Sequence, residues 1–243
     1  MKQILITETK LHLREPWSIL FTLGLPLTLL VALGHIPDLS KPDPNLGGER
    51  FVDVQLPVSM MLLALCTVAF NVLPGVLATY RKQGVLRRMS TTPASPAAML
   101  TVQLLINTAL GAVAVVVLLA AGRLVFGSAL PSGVAFVPVL LLGTAALMAI
   151  GLLIAAVAPS AKSAPLIGTA VMFPLLFMAG MWIPRDVMPP ALKTISDYSV
   201  AGPFVQALRD TWSGQPPQLA HLAVVALGVL LFGGLAVRLF RWE

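Results

Sequence analysis

Charge is what this sequence has least of. Asp, Glu, Lys and Arg together make up 11% of its 243 residues, while 57% are hydrophobic, and the mean hydropathy is +0.89. A water-soluble domain carries about a quarter charged residues, so the shortfall excludes one and puts the chain in a bilayer. Cys66 is the single cysteine, which leaves no disulfide framework and no thiolate metal cage. Its apolar surroundings make it a small buried hydrophobe. The three histidines, His12, His35 and His221, lie far apart and lack metal-ligand spacing. There is no H-E-x-x-H, no G-x-S-x-G and no G-x-x-x-x-G-K-[ST] phosphate loop. The chain is therefore read as a non-enzyme that binds no metal or cofactor. Its net charge of +6 is not gathered on a polar fold, so nucleic acid is not expected as a partner.

What the chain does have is long apolar runs. Six are long enough to cross a hydrocarbon core, which takes about 20 helical residues: 17–36, 54–79, 97–122, 134–158, 165–183 and 219–237. An all-α membrane protein of one domain follows, with kinks expected at Pro26, Pro57, Pro74, Pro138 and Pro174. The first run is too long for a signal-peptide core and is followed by HIPDLSKPDP rather than a small-residue cleavage site, so it is expected to remain as a span.

Six spans place both termini on one side. The segments on that side hold ten cations and three anions, the anions being Glu8, Glu15 and Glu243, and those on the other side hold six cations and seven anions. The positive-inside bias then makes both termini cytoplasmic. Four of the ten cations, Arg81, Lys82, Arg87 and Arg88, lie in YRKQGVLRRMSTTPASP, residues 80–96. On a helix Val85, Leu86 and Met89 share an arc of about 100° between these cations, after Gly84. Such a segment has an apolar stripe to bury, either at the headgroup surface or in a groove of a cytoplasmic partner.

Within the runs there is no Asp, Glu, Lys or Arg. Ion-coupled transporters need such groups at mid-membrane to carry the coupling charge. Asn71, Gln103 and Asn107 are the main polar side chains there, read as hydrogen bonds between packed helices or as contacts on a substrate path. On the outer side, 185–218 carries Pro189–Pro190 and Gly202–Pro203 as helix starts, with Phe204, Leu208 and Trp212 recurring at i, i+4 and i+8. Two short helices are expected there, at or dipping into the outer leaflet.

The stretches ATYRKQGVLRRMSTTPASPAAMLTVQLLIN, GLLIAAVAPSAKSA, FPLLFMAGMWIPRDVMPPALKTISDYSVAGPFVQALRDTW and LFRWE resemble, in that order, ABC exporter permeases of the second type, in the drug-resistance or daunorubicin-exporter branch of actinobacteria. The resemblance covers nearly the whole chain. It departs from the family at Lys82, where relatives commonly carry an acid.

The resemblance implies two permeases, identical or related, working in the cell membrane with two separate cytoplasmic ATPase subunits, which bind the ATP and Mg. The cargo would be a hydrophobic drug, antibiotic or lipid-like compound. Residues 1–16 resemble an interfacial helix, and 80–96 resemble the coupling helix that docks on the ATPase through Arg81, Lys82, Gly84, Val85, Leu86, Arg87, Arg88 and Met89. The 185–218 region resembles an external hairpin over the exit, with Trp182, Pro184, Phe204, Leu208 and Trp212 as candidate gate residues; a packed loop without a gating role is the other reading. Spans one and five would form the dimer contact, where Gly24, Gly168 and Gly180 permit close approach, although packing within one subunit explains those glycines as well. A stand-alone channel or lipid-handling protein shares this composition. A membrane-embedded transferase would have to draw on Arg185, Asp186, Asp197, Arg209 and Asp210.

Overall fold

In the computed structural model, residues 2–42, 48, 50–85, 96–131, 133–183, 185 and 188–240 are described. They form α1 (Lys2–Leu13), α2 (Pro16–Gly34), α3 (Gln55–Lys82), α4 (Pro96–Phe126), α5 (Phe136–Val157), α6 (Ser163–Met178), α7 (Pro190–Tyr198), α8 (Ala201–Trp212) and α9 (Leu219–Leu239). No strand occurs among the described residues, beyond one isolated bridge between Pro42 and Arg50. Five helices, α2, α3, α4, α5 and α9, are long and apolar enough to cross a membrane.

The remaining apolar run, 165–183, is only partly helical. After Met178 the chain closes a Schellman motif: Gly180 N–H donates to Phe177 O at 3.0 Å and Met181 N–H to Leu176 O at 3.1 Å. Gly180 takes the left-handed φ of +81° that this cap requires. Sixteen residues of α6 rise about 24 Å, short of the roughly 30 Å core.

The prolines act in two ways. Pro57 and Pro138 lie in the first turns of α3 and α5, where a missing N–H leaves nothing unpaired, so the kinks expected there are not needed. Pro26 and Pro74 lie just past single π-helical turns, Leu20–Gly24 in α2 and Val68–Val72 in α3. A proline cannot donate to the carbonyl four residues back, and a wider turn absorbs the misfit.

Helix α3 is the hub. Apolar all round, it is buried along Gln55–Phe70, as such a helix must be. The peripheral α9 instead turns Leu219, Leu227, Leu230, Leu231 and Val237 outward. Because lipid is as apolar as leucine, close approach rather than water exclusion holds such helices together. The π turn of α3 shows where. A Cβ on Gly151 of α5 would lie 1.9 Å from Ala69 O, and one on Gly168 of α6 would lie 1.6 Å from Phe70 O. Phe70 O is the carbonyl that Pro74 cannot serve. Two neighbouring helices therefore seat glycines on the irregular turn of the hub.

At one end α1 meets Tyr80 and the neighbouring Arg81 meets the close of α5; at the other, α8 meets the segment after α4 through Trp212 and Ala129.

Candidate functional site: the cavity at the α1 end

Helix α1 is amphipathic in an unexpected sense. Its apolar Leu5, Ile6 and Leu11 are exposed, while Glu8 and His12, one turn apart, are buried at 7% exposure each. The bundle end supplies the reason. Tyr80 Oη on α3 and Gln103 Nε2 on α4 both donate to Glu8 Oε2 at 2.6 Å. A carboxylate that receives two donors can be buried, whereas leucines facing outward lose nothing against lipid.

Beside this contact opens a cavity of about 710 Å³ between α1, α2, α3 and α6. Its walls are mostly apolar and aromatic, with Trp17, Phe21, Leu25, Val72, Met172 and Phe173 prominent, and its polar groups are Glu8, His12, Glu15, Ser18, Thr67, Asn71, Thr79, Tyr80 and Thr169. Asn71 is held to α6: Thr169 Oγ1 donates to Asn71 Oδ1 at 2.8 Å, and Asn71 Nδ2 reaches Met172 Sδ at 3.8 Å. Burial of the His12 ring lowers its pKa from the ordinary value near 6.5, and the attraction of Glu15 and Glu8 offsets only part of that. His12 Nε2 and Ser18 Oγ are buried without a hydrogen-bond partner among the described residues.

Gln103 and Asn107 lie between packed helices. Both are fully buried and neither lines the cavity. Gln103 holds Glu8, and Asn107 Nδ2 donates to Gln103 O at 2.8 Å.

At the start of the basic segment, Arg81 turns away from it. Its guanidinium donates to Ala155 O at 3.2 Å, to Ala156 O at 3.4 Å and to Ala158 O. These are carbonyls at the end of α5 that no helical N–H can reach. Lys82 is exposed, Gly84 has φ +66°, and Val85 is half-buried. Leu86, Arg87, Arg88 and Met89 lie outside the described residues.

The opposite end is closed by packing. Phe204 and Leu208 are fully buried and Trp212 is 5% exposed. A Cβ on Gly143 of α5 would lie 2.0 Å from the Phe204 ring, so the glycine makes the slot that the ring fills. Trp212 Nε1 donates to Ala129 O at 3.1 Å and its ring meets Phe136 edge-on at 6.0 Å. Gln55 Nε2 donates to Gly180 O at 3.3 Å, Ser196 Oγ to Met178 O at 2.6 Å, and Arg185 pairs with Asp197. Trp182 is exposed, and Pro184 and Asp186 lie outside the described residues.

The described residues thus form five membrane-length helices, with a mostly apolar cavity beside α1 and two short helices, α7 and α8, packed away from it. The profile of the ABC-2 type transporter family matches residues 1–212. The chain belongs to that family. As an ABC-2 protein it is a multi-pass membrane permease, the transport subunit of an ABC transporter, and its partner is an ABC ATPase. No match was found among curated proteins.

Sequence reasoning missed Glu8, His12, Ser18, Tyr80 and Thr169 in this permease. The signal was present, since Glu8, His12 and Glu15 recur at i, i+4 and i+7. Among the described side chains of α1 it is Glu8 and His12, rather than Leu5, Ile6 and Leu11, that are buried.

Proposed function

We propose that this ABC-2 permease exports a hydrophobic compound across the cell membrane, and that the cavity between α1, α2, α3 and α6 is its substrate path. The observation that carries the reading is the cavity itself, about 710 Å³ with mostly apolar walls and a few convergent polar groups, the composition of a small-molecule site. Burial of apolar ligand surface at about 25 cal/mol per Å² favours breadth over selectivity. The cation excess at the α1 end supports the orientation with both termini in the cytoplasm.

A second copy of the chain, or a related one, completes the path. Trp17, Phe21 and Phe173 are more than half exposed yet line the cavity, so a partner on the α2–α6 face would close it. Gly168 does not need that role, since α3 already occupies its close approach.

The motor acts at 80–96. Two ATPase subunits, carrying ATP and Mg, close on nucleotide and move the segment between α3 and α4. Arg81 supports this, because it ties the last turn of α3 to the end of α5. A push on the segment is then passed to two helices, one of which forms the cavity wall.

Replacing Val85, Leu86 and Met89 with serine tests the coupling. The variant is expected to insert in the membrane at normal levels, with substrate-stimulated ATPase activity of the reconstituted complex falling at least about tenfold, the equivalent of about 1.4 kcal/mol. Undiminished association and stimulation would overturn the coupling role.

A further inference from the structure

The segments that a six-span reading puts in the cytoplasm carry ten cations and three anions, yet the cavity wall beside α1 has the opposite sign among the described residues. Glu8 and Glu15 line it, and among the described residues no Lys or Arg does. His12 also lines it, 93% buried by its 7% exposure, with Nε2 lacking a partner among the described residues. Its lowered pKa keeps it neutral at pH 7, so it adds no positive charge. Trp17, Phe21, Tyr80 and Phe173 bring aromatic rings to the same space.

We propose that the cavity selects amphipathic cations, an apolar body carrying one ammonium group, and this rests on the cavity being the substrate path. Glu8 and Glu15 supply the counter-charge, aromatic faces add cation–π attraction, and His12 Nε2 accepts a hydrogen bond from an ammonium N–H. An anion of equal size faces two carboxylates in a space where water screens them poorly. The charge preference is built into the wall rather than into a single residue.

Tetraphenylphosphonium and tetraphenylborate are near-identical in shape and opposite in charge, so they separate charge from apolar burial. Equilibrium dialysis of the full chain in neutral detergent, with micelles alone as the partition control, measures both. Saturable binding is expected for the phosphonium, with borate binding at least about tenfold weaker after correction for partition. Glu15→Gln is expected to weaken the phosphonium about fivefold and Glu15→Lys further. Glu8→Gln is a third variant; because Glu8 also holds Tyr80 and Gln103, the exposed Glu15 carries the test if that variant does not fold. Equal binding of the two probes, or phosphonium binding indifferent to Glu15→Lys, would overturn the charge selection while leaving the cavity as a path. Failure of both probes to bind saturably, with Phe21→Ala and Phe173→Ala equally silent, would overturn the path reading itself.

Decylamine binds more tightly than decyltrimethylammonium if His12 accepts from an N–H, and His12→Phe removes the difference. Equal binding of these two to the native chain would overturn the His12 role. The amine could belong to a lipid headgroup or to a free compound. In discs of phosphatidylcholine with added phosphatidylethanolamine, a drop in phosphonium affinity relative to phosphatidylcholine alone assigns the site to lipid amine. Equal affinity assigns it to a free amphiphile.

Discussion

The two ends of the bundle solve the same problem differently. At the hairpin end, the aromatic groups and Gln55 are taken up in packing: Phe204 fills the slot at Gly143, Trp212 is bonded to Ala129, and Gln55 is bonded to Gly180. At the α1 end a carboxylate is buried on two donors, and beside it a cavity leaves His12 Nε2 and Ser18 Oγ without partners among the described residues. Buried groups without a partner among the described residues occur at both ends, Asp210 Oδ2 and His221 Nδ1 at the hairpin end, but at the α1 end His12 and Ser18 line a cavity, the usual mark of a site that must bind something or change shape.

The comparison can be broken most severely at the packed end. Phe204→Ala empties a slot that Gly143 shapes to the ring, and a buried Phe→Ala change costs about 3–5 kcal/mol. Thermal denaturation in detergent should show a large drop in Tm, while Trp182→Ala, at 57% exposure, stays within about 0.5 kcal/mol. Equal, small shifts for both would mean that the hairpin is not part of the rigid core.

A smaller loss is expected at the α1 end. Glu8→Ala leaves the Tyr80 hydroxyl and the Gln103 amide without their acceptor, at about 1–3 kcal/mol for an unsatisfied buried group. Gln103→Leu with Tyr80→Phe should recover part of that loss in the Glu8→Ala background, because both orphaned donors are then gone. The double-mutant cycle reads the coupling directly, and simple additivity would mean that these groups do not act as a unit.

Much of the fold was legible because membrane helices announce themselves by length. The short outer helices were also legible, since Pro189–Pro190 and Gly202–Pro203 mark their starts and the helices begin at Pro190 and Ala201. The run 165–183 is helical only as far as Met178, and composition does not register the Schellman cap that ends it. "AGMWI" is as apolar as a helix, and only the left-handed backbone at Gly180 shows that the chain has already turned. The site was less legible for a different reason. Residues 1–16 were read as an interfacial helix by resemblance, which does not say which face meets the protein, and beside lipid the apolar face can be the outer one. Nothing in the sequence says that Tyr80 and Gln103, 72 and 95 positions away from Glu8, will be waiting for its carboxylate. Asn71 was legible as a polar group on a span, and its pairing with Thr169 bonds α3 to α6 in the cavity wall.

The smallest effect separates the two ends by pH. Burial holds His12 below its ordinary pKa near 6.5, and the charged and titratable groups facing it are Glu8 and Glu15 from its own segment and Tyr80 from α3, while α2 and α6 bring no charge to the cavity wall. Desolvation wins over the two carboxylates, so the folded state prefers the neutral ring. Above about pH 6.5 both folded and unfolded states hold it neutral, and pH has no effect through this group. As pH falls below that value the unfolded chain takes up the proton first, and stability declines until the lowered folded pKa is passed. The slope is at most about 1.4 kcal/mol per pH unit. His12→Asn should remove that part of the decline when Tm is followed between about pH 7 and pH 5, whereas Phe204→Ala should lower the whole curve without changing its shape. A His12→Asn curve that still parallels the native one would place the acid-sensitive group elsewhere, and would remove the argument that the α1 end holds a neutral, buried imidazole ready to accept a hydrogen bond.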